Sequence, residues 1–134
     1  MILKIELIQH VGAPCKPVVE VGDKVKKGQL IAEPQGLGAN IHTSVYGKVV
    51  DITDACILIE ADDNQPSEYV KIKDTETHLE AIKEAGIVGA GGAGFPTHVK
   101  LSPKDPDKID YVIANCAECE PYLTSDYRRM VEEP

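Results

Sequence analysis

Val21-Gly22-Asp23-Lys24-Val25-Lys26-Lys27-Gly28-Gln29-Leu30-Ile31 is the stretch on which the fold turns. Gly22-Asp23 and Gly28-Gln29 are turn pairs: glycine reaches backbone conformations closed to other residues, and Asp bonds its own backbone in tight turns. Val21, Val25, Leu30 and Ile31 fall between the turns and are expected to point inward. On either side of this stretch, short runs rich in Val, Ile and Leu read as strands at 3–9, 16–21, 29–32, 41–45, 48–52, 56–60 and 69–72. Glycines 12, 36, 38 and 47 punctuate them. Short strands at this spacing predict a sandwich or barrel. Pro14 and Pro17 flank Cys15 and keep that segment out of a central strand, since proline cannot donate to a ladder.

The whole chain has 134 residues, enough for one domain or two small ones. Hydrophobic residues make up 43% but aromatics only 4%, so the core must be built from Val, Ile, Leu and Ala. The formal charge is -8, with no basic stripe, which argues against nucleic acid and against anionic lipid. No run approaches the roughly 20 apolar residues of a membrane span. Met1 to Ile8 alternates apolar with charged after Leu3, a strand pattern rather than a signal peptide. The expected compartment is therefore the cytoplasm, with the four cysteines as reduced thiols.

The text changes character past the polar segment 62–68, which carries Pro66. The expected division is a β domain over 1–73 and a different domain over 74–134. Residues 75–85 switch to helical spacing, with Leu79, Ile82 and Ala85 on one face, Thr75 or Thr77 as the cap and Gly86 as the stop. Ile87-Val88 leads into a glycine-rich loop at 89–94. A proline-bearing loop at 102–108 precedes 109–114, which reads as a buried strand. Thr124-Ser125-Asp126 offers a cap for a last helix through Glu132. This is the grammar of an α/β domain. One strand cannot form a stable sheet alone, so the second half reads as the opening of something larger. The fold class is α+β, multidomain.

The turn text Val21 to Ile31, with Ile41-His42-Thr43-Ser44-Val45-Tyr46-Gly47-Lys48-Val49-Val50 as a second strand–turn–strand unit, resembles the biotinyl/lipoyl-type barrel-sandwich hybrid. In a swinging-arm carrier a lysine sits at the tip of the hairpin between the halves. Here the link Ala32-Glu33-Pro34-Gln35-Gly36-Leu37-Gly38-Ala39-Asn40 has no lysine. A docking or scaffolding role is expected instead. Lys24, Lys26 and Lys27 read as a solvated hairpin face.

Gly89-Ala90-Gly91-Gly92-Ala93-Gly94 satisfies G-x-G-x-x-G, a weak signal by itself. Glycines let the backbone approach a phosphate or a flat ring and aim N–H groups at it. A Rossmann fingerprint needs a long strand before the loop, and only Ile87-Val88 precedes it. The continuation is more specific: Phe95-Pro96-Thr97-His98-Val99-Lys100-Leu101, then Asn115-Cys116-Ala117-Glu118-Cys119-Glu120-Pro121-Tyr122-Leu123-Thr124. Together these resemble the flavin-site text of the family that includes the flavoprotein subunit of NADH dehydrogenase complex I and the C subunit of the Rnf electron-transport complex. His10-Val11-Gly12-Ala13-Pro14 and the sandwich share the likeness.

The resemblance implies an electron-transfer subunit using FMN and NADH. Gly89, Gly91, Gly92 and Gly94 would wrap FMN, Lys100 would meet its phosphate or polar ring edge, and Asn115 would hydrogen-bond the flavin. Glu118 and Glu120 would line the place where a nicotinamide stacks. Ala117 stands where complex I has Asp, so one polar contact is missing. Cys15 stands where Rnf C subunits usually have Ala, and the combination resembles the electron carrier associated with proline reductase in amino-acid-fermenting clostridia. The family's 4Fe-4S cysteine runs have no counterpart in these residues and would belong to a longer parent chain. Implied partners are other electron-transfer subunits or a terminal reductase, with attachment to a membrane only through partners. By itself the chain is expected to hold flavin weakly or not at all and to be inactive. The alternative is a non-catalytic docking module of an electron-transfer complex.

Cys116-Ala117-Glu118-Cys119 is a lone C-x-x-C, too little to close a zinc site, and reads as site-lining. Cys56 reads as core. Cys15, between two prolines in an exposed-looking segment with Lys16 to stabilise a thiolate, is a candidate redox thiol. The four histidines are dispersed, so no metal site is expected and surface or turn roles are.

Overall fold

A computed structural model describes residues 1–90, 93–118 and 121–132. The chain divides into two compact units, Met1–Pro103 and Lys104–Pro134.

The first unit carries seven strands in two antiparallel sheets. One has the order β1-β7-β6-β3, from β1 (Ile2–Glu6), β7 (Cys56–Ala61), β6 (Gly47–Ile52) and β3 (Lys24–Val25). The other has the order β2-β4-β5, from β2 (Lys16–Pro17), β4 (Leu30–Glu33) and β5 (Ile41–His42). Pro17 is tolerated because β2 lies at a sheet edge.

The glycine turns behave as expected. The Gly22 amide donates to the Val49 carbonyl (2.8 Å) and the Gly28 amide to that of Thr43 (2.8 Å), so each turn is tied to the opposite half of the sandwich. The Asp23 carboxylate accepts from the Glu20 amide at 2.9 Å, and the Gln29 side chain accepts from the Lys26 amide at 3.0 Å. Val25 and Ile31 reach the core with Val49, Ile57 and Ile59, all within 2% of complete burial. A buried aliphatic side chain of this size contributes about 1.5–3 kcal/mol. Cys56 lies in the same interior, as its strand context implied.

Three expectations are corrected. Val21 does not point inward; it is 59% exposed, because the Gly22 turn carries it past the edge of the core. Residues 69–72 form no ladder: the Val70 amide donates to the Lys27 carbonyl (2.8 Å), and the segment crosses the hairpin as a strap. Residues 109–114 are extended but unpaired, with Tyr111, Val112 and Ile113 at least 84% exposed. A strand needs a neighbour to accept its ladder bonds, and among the described residues of the second unit no other segment supplies one. That unit instead holds a 3-10 turn at Pro106–Lys108 and a helix, α3, at Ser125–Glu132.

Candidate functional site

The glycine loop is built outward from a short helix, α1 (His78–Glu84). Its start is fixed by a reciprocal cap: the Glu80 amide donates to Thr77 Oγ1 (3.2 Å), and the Thr77 amide donates to the Glu80 carboxylate (3.2 Å). The helix ends as Gly86 takes φ +68° and donates to the Lys83 carbonyl (3.0 Å).

The chain then doubles back. The Gly89 amide donates to the Phe95 carbonyl at 2.9 Å and the Thr97 amide to that of Ile87 at 3.0 Å, with a β-bridge between Val88 and Pro96. Residues 87–89 and 95–97 are therefore the two arms of a closed hairpin. Ala90 and Ala93 bring only methyl groups to the loop 89–94, and its text contains no carboxylate or aromatic residue. Gly91 and Gly92, both assigned to a cofactor by the sequence, lie outside the described residues. A second short helix, α2 (Thr97–Lys100), begins directly after the buried Pro96. Its Lys100 side chain is exposed and forms no ion pair among the described residues.

His98, two residues before Lys100, was not singled out by the sequence. Its Nδ1 is buried and has no hydrogen-bond partner among the described residues. Burial and the nearby Lys83 charge hold its pKa below 6.5, so the ring is neutral at physiological pH. The only textual signal was its place within Phe95 to Lys100, where spacing cannot reveal an unpaired nitrogen.

In the second unit, Asn115 Oδ1 accepts from the Ala117 amide (3.1 Å), a local turn that leaves the side-chain NH2 to donate elsewhere. Glu118 Oε1 accepts from the Asp126 amide (2.8 Å) and the Tyr127 amide (3.2 Å). It thereby satisfies first-turn amides of α3, where a carboxylate also meets the positive end of the helix. This cap comes from upstream of the helix rather than from the residue that opens it. Glu120 and Cys119 lie outside the described residues. The glycines and Lys100 belong to the first unit, and Asn115 and Glu118 to the second.

Cys15 differs from its expected setting. It is 3% exposed rather than on the surface, and its Sγ lies 3.3 Å from the Ala39 carbonyl and 3.2 Å from His10 Nε2. Burial pushes its pKa above 9.0, the opposite of thiolate stabilisation by Lys16. The flanking prolines shape the segment, but the Cys15 amide still donates to the Leu7 carbonyl (2.8 Å) and draws the thiol inward. His10 likewise is buried, not a surface residue. Among the described residues no group of three His, Cys, Asp or Glu side chains could hold a metal ion, and no helix is long and apolar enough to cross a membrane.

Known proteins share this text in two blocks. Residues 2–75 match the RnfC barrel sandwich hybrid domain, and residues 82–134 match the Nuo51 FMN-binding domain. Over 92% of its length the chain is 49% identical to the C subunit of the proton-translocating ferredoxin:NAD(+) oxidoreductase complex of Clostridium ljungdahlii. It is 41% identical over 92% to the C subunit of the Na(+)-translocating ferredoxin:NAD(+) oxidoreductase complex of Acetobacterium woodii. It is 39% identical over 91% to the C subunit of the ion-translocating oxidoreductase complex of Pseudomonas aeruginosa. The chain spans 31%, 32% and 18% of the lengths of these relatives, respectively.

Proposed function

The chain belongs to the RnfC family, and from that membership we propose that it is the N-terminal part of a flavin-dependent electron-transfer subunit working between a nicotinamide nucleotide and a ferredoxin-type carrier. The observation that carries this reading is the closed glycine hairpin followed at once by an uncommitted lysine, within a segment matching an FMN-binding domain. We take the sandwich as 1–73 and the flavin-site segment as 74–134, a division that the family matches over 2–75 and 82–134 support.

The residues at the hairpin suit FMN. Its phosphate needs N–H donors and a cation, and its ring needs a surface without side chains. A glycine loop whose sequence lacks carboxylates, with Lys100 a short way along the chain, offers both kinds of contact. When bound, FMN supplies the redox chemistry, taking two electrons together and releasing them singly.

The chain's own work is binding and orientation. Gly91, Gly92 and Gly94 would offer backbone amides, while Gly89, whose amide is taken by the Phe95 carbonyl, would offer only bare backbone. Lys100 would neutralise the phosphate or hold the polar ring edge. By the family resemblance, Asn115 would donate to the flavin, and Glu118 and Glu120 would meet the nicotinamide ribose or amide. The 4Fe-4S clusters and partner subunits belong to the remainder of a longer protein. The relatives named above are subunits of ferredoxin:NAD(+) or ion-translocating oxidoreductases, and proline reductase has no part in this reading.

The test is a titration of the chain with FMN, followed by fluorescence quenching. Weak saturable binding is expected, and Lys100→Ala should weaken it by about tenfold, the loss of one charge-assisted contact. No saturable quenching by this chain and none by a longer chain carrying the rest of the flavin domain would overturn the flavin assignment for 89–100 and leave a docking module.

A further inference from the structure

The segment that joins the two halves of the sandwich, 32–40, has no carrier lysine. Its tip, Gln35 to Leu37, is exposed, but its return is buried: Ala39 is 2% exposed, and Gly38 is buried with it. What covers Gly38 is the imidazole of His10. A Cβ placed on Gly38 would stand 2.5 Å from His10 Cε1 and 3.1 Å from Nε2, so the ring lies directly on the backbone.

Both ring nitrogens have polar neighbours. Nδ1 lies 3.0 Å from the Val11 carbonyl, which can only accept, so Nδ1 carries the proton. Nε2 is then an acceptor, 3.2 Å from Cys15 Sγ, whose single proton serves either Nε2 or the Ala39 carbonyl at 3.3 Å. The backbone of Gln9 and His10, rather than the ring, meets the glycine hairpin at Gly94. A Cβ on Gly94, which has φ +61°, would stand 2.9 Å from the Gln9 carbonyl oxygen and 3.3 Å from His10 Cα. The other end of the hairpin rests on the same segment: Asn40 Nδ2 donates to the Glu84 carbonyl (3.4 Å), and Gly86 packs against the Asn40 backbone.

We infer that His10 is a positioning residue for the glycine hairpin, clamped between the joining segment at Gly38 and the loop exit at Gly94. The buried return of the joining segment, at Gly38 and Ala39, thus serves here as a fixed bed. Its flavin consequence rests on the reading of 89–100 given above, but the clamp itself does not. The sandwich sets where Gly94 stands, and a buried ring bonded through Nδ1 and packed on Gly38 cannot swing away without leaving that nitrogen unpaired.

The experiment is amide hydrogen exchange on the whole ligand-free chain, with FMN titration of the same proteins. His10→Ala should accelerate exchange of the Gly89 and Thr97 amides by about tenfold, as for loss of one hydrogen-bonded restraint. The core amides of Val49 and Ile57 should exchange as before. His10→Gln, which can place an amide near the Nε2 position, should restore most of the protection. Cys15→Ala removes one anchor without opening a large cavity, and should give a smaller acceleration at the same two amides; it decides the matter if His10→Ala does not fold. Unchanged hairpin exchange in the folded variants, or uniform acceleration including Val49 and Ile57, would overturn the inference. Local acceleration, with no FMN binding either by this chain or by a longer one carrying the rest of the flavin domain, would uphold the clamp and sink the flavin reading alone. Local acceleration with a parallel rise in Kd for FMN would uphold both.

Discussion

Gly94→Ala is expected to destabilise the chain by about 1–3 kcal/mol, for two reasons that can be separated. The residue has φ +61°, where an L side chain costs roughly 1–2 kcal/mol. The restricted unfolded chain returns about 0.4–1 kcal/mol of that. The new methyl would also stand 2.9 Å from the Gln9 carbonyl oxygen, a backbone atom that no rotamer change can move aside. The hairpin must shift outward instead, lengthening the 2.9 Å bond from the Gly89 amide to the Phe95 carbonyl. Losing such a bond costs about 1 kcal/mol. Gly22→Ala is the control: it shares a positive φ of +103° but its Cβ would meet nothing within 4 Å. Urea denaturation followed by far-UV circular dichroism measures both variants against the parent. Gly94→Ala should show the larger loss, by about 1 kcal/mol. If Gly94→Ala matches the parent, the hairpin does not bear on the Gln9–His10 backbone, and the account of how the sandwich holds the loop fails.

Burial sets two further outcomes. With iodoacetamide under native conditions, Cys116, which is half-buried, should label well before Cys15 and Cys56, which are buried; peptide mass mapping reads the order, and equal rates at Cys15 and Cys116 would restore an accessible thiol at Cys15. His42 and His98 both have pKa values below 6.5 in the fold, chiefly from desolvation, with Glu84 opposing at His42 and Lys83 adding at His98. Their neutral forms are favoured in the native state, so their contribution is complete above 6.5 and is lost as pH falls through the folded-state values. The urea midpoint should fall between about pH 7.5 and about pH 5.5. A His42→Gln/His98→Gln double variant should flatten that dependence, and an unchanged slope would remove these two rings as its source.

The sandwich was legible in the order of residues alone. Turn glycines and aliphatic alternation from Val21 to Ile59 are local signals, and the strands they define have one another as partners, so local preference and tertiary packing agree. Helix α3 was placed by its polar start, but its amides are capped by Glu118 from further upstream. The existence of α1 was legible too, because its cap and spacing lie within a few residues. The glycine motif could be read as a loop for the same reason. Features that depend on neighbours distant along the chain emerged only in three dimensions. Residues 109–114 have the composition of a buried strand yet stand unpaired, because a strand is completed by another strand and not by its own text. Cys15 looked exposed between two prolines, but a backbone bond to Leu7 turns it inward against His10 and Ala39. The pairing of His10 with Gly38 and Gly94 joins residues far apart in sequence and leaves no periodicity to read. It arises because closing the sandwich brings a buried ring, a bare stretch of backbone and the glycine hairpin to one place, where only their shapes and hydrogen-bonding atoms decide what fits.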